Sequence, residues 1–135
     1  MSYSRAIRIE FNHCDPAGIV FYPRYYEMTN SVIENFFRDA IGWPFEAMMA
    51  AGEGVPTVRI ETDFRAPSRL GDMLDWRLGV TRLGHASVTL RLGAACDGQT
   101  RLGALITLVR LGADHRPAPW PATIRDRLAA HQEAP

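Results

Sequence analysis

The sequence has 135 residues, 47% of them hydrophobic, with 15 Lys and Arg against 15 Asp and Glu. That length and apolar content suit one domain over residues 1–135 with a single core and argue against general disorder. A formal net charge of zero argues against a bulk electrostatic partner such as nucleic acid or an anionic membrane surface.

The first residues, with Arg5, Arg8 and Glu10, are charged too early for a secretory signal. The most apolar run, Leu102 to Val109, is far too short to cross a bilayer. Cys14 and Cys96 have no metal-type spacing and read as two thiols of a cytoplasmic protein.

Residues 5–13 alternate, with Ile7, Ile9, Phe11 and His13 on one face, which predicts a half-buried strand. If the chain stays extended, Asp15 continues the face of His13 and Cys14 points away, which makes Cys14 a poor candidate nucleophile. A Pro/Gly loop follows, and the period then changes. Tyr25, Tyr26, Thr29, Val32, Ile33, Phe36, Phe37, Ala40 and Ile41 form one apolar stripe at helical spacing, between Pro23 at the start and Gly42 at the stop. A helix over Arg24 to Ile41 runs about 25 Å, enough to cross a small sheet. A shorter helix is expected from Pro44 to Ala51, ended by Gly52.

Alternation predicts strands over 58–65, 74–81 and 88–94, and an apolar run predicts a fourth over 102–110. The last is apolar on both faces, so it belongs centrally or in a subunit contact, with Leu105, Thr107 and Val109 as that contact. The connections Pro67 to Gly71, Leu83-Gly84-His85 and Asp97-Gly98 are short, and an antiparallel meander is expected. A Pro-rich stretch from Pro117 to Pro121 leads to a short helix with Ile124 and Leu128 four apart, and residues 132–135 are expected to fray. The fold class is α+β, with one antiparallel sheet curled around one long helix.

The stretch from His13 to Tyr22 gathers the chemistry. Asp15 precedes Pro16, which restricts its backbone, and Gly18 permits positive φ or close backbone approach. The first turn of the helix then offers N–H groups and a positive dipole end. A fixed carboxylate opposite such a terminus suits attack on a carbonyl; alternatively, Asp15 is a turn carboxylate in an Asx-turn. His13 could orient substrate or water, or be satisfied by backbone at a strand end. A metal site built on His13 and Asp15 lacks a third ligand.

Asp15-Pro16-Ala17-Gly18-Ile19-Val20-Phe21-Tyr22-Pro23-Arg24-Tyr25 resembles the signature of the 4-hydroxybenzoyl-CoA thioesterase family of hotdog-fold proteins. Two weaker segments, Phe64 to Asp72 and Arg82 to Val88, match the habit of the same family. The resemblance implies a hotdog fold and hydrolysis of an acyl-CoA thioester, of an aromatic acid, at a site between two subunits of a homodimer or homotetramer. Asp15 would be the catalytic carboxylate and the backbone N–H of Tyr22 the group that polarises the carbonyl. Such attack needs no metal or cofactor, and Asp15 could act as nucleophile or as general base. Gly18 and His13 would line the substrate, and Arg82 and His85 would meet the CoA phosphates unless that hairpin tip is only a solvated turn. Arg65, Arg69, Arg110 and Arg116 are weaker candidates of the same kind. The alternatives are a hotdog dehydratase acting on a hydroxyacyl thioester, and a non-catalytic acyl-CoA-binding protein.

Overall fold

A computed structural model describes residues 2–134. Five strands, β1 (Tyr3–Arg8), β2 (Thr57–Phe64), β3 (Met73–Leu83), β4 (Ser87–Cys96) and β5 (Gln99–Val109), form one sheet in the order β1-β3-β4-β5-β2. All four pairings are antiparallel. The long helix runs from Arg24 to Phe36 as α1 and continues through a π-turn, Phe37–Ile41, to Gly42. Gly42 ends it in the left-handed region at φ +71°, as a C-terminal glycine can and most residues cannot. Arg127 donates to the Ile41 carbonyl at 2.7 Å and so satisfies an acceptor of the last turn.

Packing follows from the periods. Tyr25, Met28, Thr29, Val32, Ile33, Phe36, Phe37 and Ile41 are buried, and Met28 joins the expected stripe while Tyr26 and Ala40 sit half-buried at its margin. They meet Leu74, Trp76, Leu78, Val80, Leu90, Leu92, Ile106 and Leu108, the alternate residues of β3, β4 and β5. Gly103, Leu105, Thr107 and Val109 lie on the opposite, half-buried face of β5. The short helix α2 (Phe45–Ala50) and the C-terminal helix α3 (Ala122–Ala129), with Ile124 and Leu128 buried, stand where the patterns place them. No helix among the described residues is long and apolar enough to cross a membrane.

Three expectations are corrected. The first strand stops at Arg8, and Phe11–His13 form a 3-10 turn in which Phe11 is 84% exposed. A capping pair causes this: the Glu10 N–H donates to His13 Nδ1 at 2.8 Å, and the His13 N–H donates to the Glu10 carbonyl at 3.0 Å. Secondly, β2 does not pair with β3. It is an edge strand on β5, and the segment 65–72 crosses the end of the sheet rather than closing a hairpin. Thirdly, the tail does not fray at 132–133. Gln132 forms a parallel bridge with Val80, and the Glu133 N–H donates to the Val80 carbonyl at 2.7 Å, past Leu78, the partner of Tyr3 at the start of β1. Pro135, also expected to fray, lies outside the described residues.

Candidate active site

The candidate site is a small hairpin between the 3-10 turn and α1. Cys14 and Val20 form an antiparallel bridge, flanked by the Asp15 N–H donating to the Ile19 carbonyl at 3.0 Å and the Phe21 N–H donating to the His13 carbonyl at 2.9 Å. The loop between is Pro16-Ala17-Gly18. Pro16 presets the second position of a turn closed by the Gly18 N–H on the Asp15 carbonyl at 2.9 Å. Gly18 takes φ +81°, and a Cβ there would meet nothing within 4 Å. The glycine is therefore required by backbone conformation rather than by space.

Asp15 is half-buried at the start of this loop, and its Oδ1 accepts the Ala17 N–H at 2.9 Å in an Asx-turn. That bond fixes the side-chain direction, and among the described residues the second carboxylate oxygen has no hydrogen-bond partner. Cys14 packs on the core, and its thiol lies 3.7 Å from the Glu10 carbonyl, turned back along the chain. It is thus poorly placed as a nucleophile, although the unbroken strand from which that was expected is absent.

The first turn of α1 is tight. The N–H groups of Arg24, Tyr25 and Tyr26 donate three residues back, to Phe21, Tyr22 and Pro23, at 2.9, 3.1 and 3.1 Å. Pro23 has no N–H. Tyr22 is the position at this helix start whose N–H finds no acceptor among the described residues. An aromatic wall stands beside it: the Tyr22 ring meets Phe21 at 5.7 Å and Phe64 at 6.1 Å, both edge-on, and Phe64 lies 5.9 Å from Tyr25. Tyr22 and Phe64 are 59% and 48% exposed, so the wall faces outward from the end of β2. Phe64 was legible as a strand residue and as the first residue of a family-like segment, but not as part of this wall, because its partners come from the helix start.

Asp15 and Gly18 thus lie in one hairpin turn, and Tyr22 follows its second arm, two residues beyond Val20. His13 belongs to the same hairpin stem, but its Nδ1 is occupied by the Glu10 N–H, and its ring lines a cleft between β1 and α1 with Arg5, Arg8 and Ser31. Arg82 borders the outer face of the sheet beside Thr89 and Thr107. His85 is exposed at the β3–β4 turn, next to Trp120 and Arg125. These two lie at the Leu83 end of β3, while the Asp15 loop lies toward the Met73 end; the strand between spans about 33 Å. One chain does not bring them to Asp15. No group of three His, Cys, Asp or Glu among the described residues could hold a metal ion.

A second feature escaped the sequence patterns. The crossing segment 65–72 holds the site hairpin: the Val20 N–H donates to the Ser68 carbonyl at 2.9 Å, and Ile19 bridges Arg69. Arg101 reaches into that segment and pairs with Asp72 at 2.8 Å. Asp72 is held below the usual carboxylate range, first by the Arg69 N–H and then by the Arg101 guanidinium. The available signal was a lone arginine opening an otherwise apolar strand.

The sequence profile of the thioesterase-like superfamily matches residues 9–128. A 4-hydroxybenzoyl-CoA thioesterase of Pseudomonas sp. strain CBS-3 is 50% identical over 69 residues, 50% of this chain and 49% of the relative, so the chain spans about half the length of that curated relative. Among solved structures, a gentisyl-coenzyme A thioesterase superposes with a TM-score of 0.86 at 25% identity, covering 93% of this chain and 99% of that one. A thioesterase-superfamily protein of Jannaschia sp. CCS1 superposes with a TM-score of 0.90 at 26% identity, covering 98% and 94% of the two chains. These likenesses bear out the α+β hotdog arrangement expected from the motifs. By its sequence and its fold, the chain belongs to the thioesterase-like superfamily.

Proposed function

We propose that the protein hydrolyses the CoA thioester of an aromatic acid, with Asp15 as the reacting carboxylate and the Tyr22 N–H as the donor to the thioester oxygen. The observation that carries this reading is an oriented carboxylate, the second oxygen of which has no partner among the described residues, on the hairpin that leads into a helix-start N–H with no acceptor among them. In the reaction, Asp15 or a water that it deprotonates attacks the carbonyl carbon. The carbonyl π electrons move onto oxygen, where the N–H stabilises them. Collapse expels the CoA thiolate. If Asp15 itself attacked, water then cleaves the acyl-aspartyl anhydride and regenerates the carboxylate. The aromatic preference is supported by the names of two similar proteins, a hydroxybenzoyl-CoA and a gentisyl-CoA thioesterase, and by the wall of Phe21, Tyr22 and Phe64.

The working unit of this reading is a dimer. The β2 edge is open, with Val58 60% and Ile60 43% exposed. Two β2 edges paired antiparallel about a two-fold axis would set the Thr57 end of one chain beside the Phe64 end of the other. Arg82 of the partner subunit and His85 of the partner subunit would then approach the Asp15 loop, where they could meet CoA phosphates.

The same Asx-turn supports a second reading, a turn carboxylate in a non-catalytic acyl-CoA-binding protein. Asp15→Asn separates the two, because an asparagine Oδ1 can still accept the Ala17 N–H while the carboxylate is lost. Thiol release from a panel of aromatic and aliphatic CoA thioesters is expected for the wild type, aromatic substrates leading, and to fall by several orders of magnitude in Asp15→Asn. Wild-type turnover in a folded Asp15→Asn protein would sink the assignment.

A further inference from the structure

The site segment hangs between two anchor points, and both belong to the crossing segment 65–72. At its beginning, the Ile9 N–H donates to the Asp72 carbonyl at 2.8 Å and the Gly71 N–H to the Ile9 carbonyl at 2.9 Å. At its end, the Val20 N–H donates to the Ser68 carbonyl and Ile19 bridges Arg69. Residues 10–18, including Asp15, are strung between these attachments, and Tyr22 follows two residues after the second.

The crossing segment has no strand of its own to stiffen it. What fixes it is Arg101, the side chain of which is 11% exposed. Its Nη1 donates to the Pro67 carbonyl at 3.0 Å, to Ser68 Oγ at 3.2 Å and to Asp72 Oδ2 at 2.8 Å. Asp72 Oδ2 also accepts the Arg69 N–H at 2.9 Å, which curls the backbone around the ion pair. The Arg101 carbonyl receives the Arg65 and Ala66 N–H groups at 2.8 and 3.2 Å. Ser68 is fully buried, so its hydroxyl has no water to replace this guanidinium.

We infer that Arg101 and Asp72 are positioning residues for thioester hydrolysis, holding the Asp15 loop and the Tyr22 N–H in register through the Ser68 carbonyl and the Ile9 pairing. The inference rests on the reading of Asp15 and Tyr22 given above. Neither Arg101 nor Asp72 needs to touch the substrate. Their effect is geometric: a small slip of the Ser68 carbonyl moves Val20, and with it the relation between the carboxylate and the N–H two residues on.

The test compares Arg101→Met, Arg101→Lys and Ser68→Ala with the wild type and Asp15→Asn, using an aromatic CoA thioester as substrate. Arg101→Met is expected to lower kcat about a hundredfold while KM stays within about threefold, the pattern of misplaced reacting groups rather than lost substrate contacts. Arg101→Lys should recover most of the loss, because an ammonium offers three donors to the same three acceptors. Amide hydrogen exchange supplies a readout independent of activity: in Arg101→Met the Val20 N–H should lose protection while those of Leu90 and Leu92 in β4 keep theirs. If Arg101→Met fails to fold, Ser68→Ala, which deletes one acceptor hydroxyl, carries the same two readouts with a smaller effect. Turnover that is present in the wild type and lost in Asp15→Asn secures the site reading without reference to Arg101. Given that, a folded clamp variant with wild-type kcat, or with unchanged Val20 protection, overturns the positioning role alone. An inactive wild type overturns both.

Discussion

Tyr22 carries two groups that could meet a thioester oxygen, a phenol and a backbone N–H, and they predict opposite outcomes. The ring is already engaged edge-on with Phe21 and Phe64, contacts that phenylalanine would keep. The N–H is the donor left over when the first turn of α1 closes on itself. Tyr22→Phe should therefore retain activity to within about threefold, whereas an ester in place of the residue-22 amide should cost roughly 3 kcal/mol, about a hundredfold in kcat. Semisynthesis of the ester-linked protein and single-turnover kinetics would check this. A dead Tyr22→Phe beside an active ester would make the phenol the electrophile.

The crossing segment behaves as an element although it has no regular structure, and its stability should follow Asp72. The folded-state pKa of this carboxyl lies below its ordinary value, because of the Arg69 N–H and then Arg101. A depressed carboxylate pKa stabilises the fold above the unfolded value, about 3.9, and that contribution is lost as pH falls through the folded value. Asp72→Asn should accordingly be less stable than the wild type at neutral pH, with the difference shrinking below about pH 3.9 as the wild-type carboxyl protonates. Denaturant midpoints from pH 7 down to 2 measure it; a gap that stays constant across that range would show that Asp72 contributes nothing through its charge. The element also marks what was legible in the sequence. Alternation located β2 to β5 to within a few residues, and the stripe from Tyr25 to Ile41 located the long helix, because both patterns are local. Strand order is not local. A five-residue link such as Pro67 to Gly71 has the length of a hairpin loop, and antiparallel neighbours satisfy the pattern equally well in a meander or around an edge. What distinguishes the two is the ladder of β2 on β5, from Thr57 opposite Leu108 to Phe64 opposite Leu102, between segments far apart in the sequence. The 3-10 turn was hidden for a related reason. Ile9, Phe11 and His13 fit a strand, and the competing signal was the Glu10–His13 spacing, a side chain returning to backbone three residues away. Asp15, Gly18 and Tyr22 fall within eight consecutive residues, so their proximity could be read from the sequence alone.

Among the described residues the sheet has two edge strands, β1 and β2, and the proposed dimer uses the β2 edge. β2 exposes backbone donors and acceptors beside Val58 and Ile60, a template for another strand. The charges that β2 carries offset one another, because Arg59 pairs with Glu61. Within one chain the Asp15 loop and the Arg82–His85 turn lie toward opposite ends of β3, a strand of about 33 Å, and the proposed dimer would bring them together across two copies. Ile60→Lys should set like charges facing across the two-fold axis, where strand pairing would otherwise form. Sedimentation is expected to show the wild type at no less than twice the 15.1 kDa chain mass and Ile60→Lys at the mass of one chain. The monomeric variant should lose activity chiefly through KM for the CoA ester, because Asp15 and the Tyr22 N–H stay in place while the partner's phosphate contacts are gone. A single-chain Ile60→Lys protein with wild-type kinetics would mean that each chain holds a complete site, and the dimer would then have no part in catalysis.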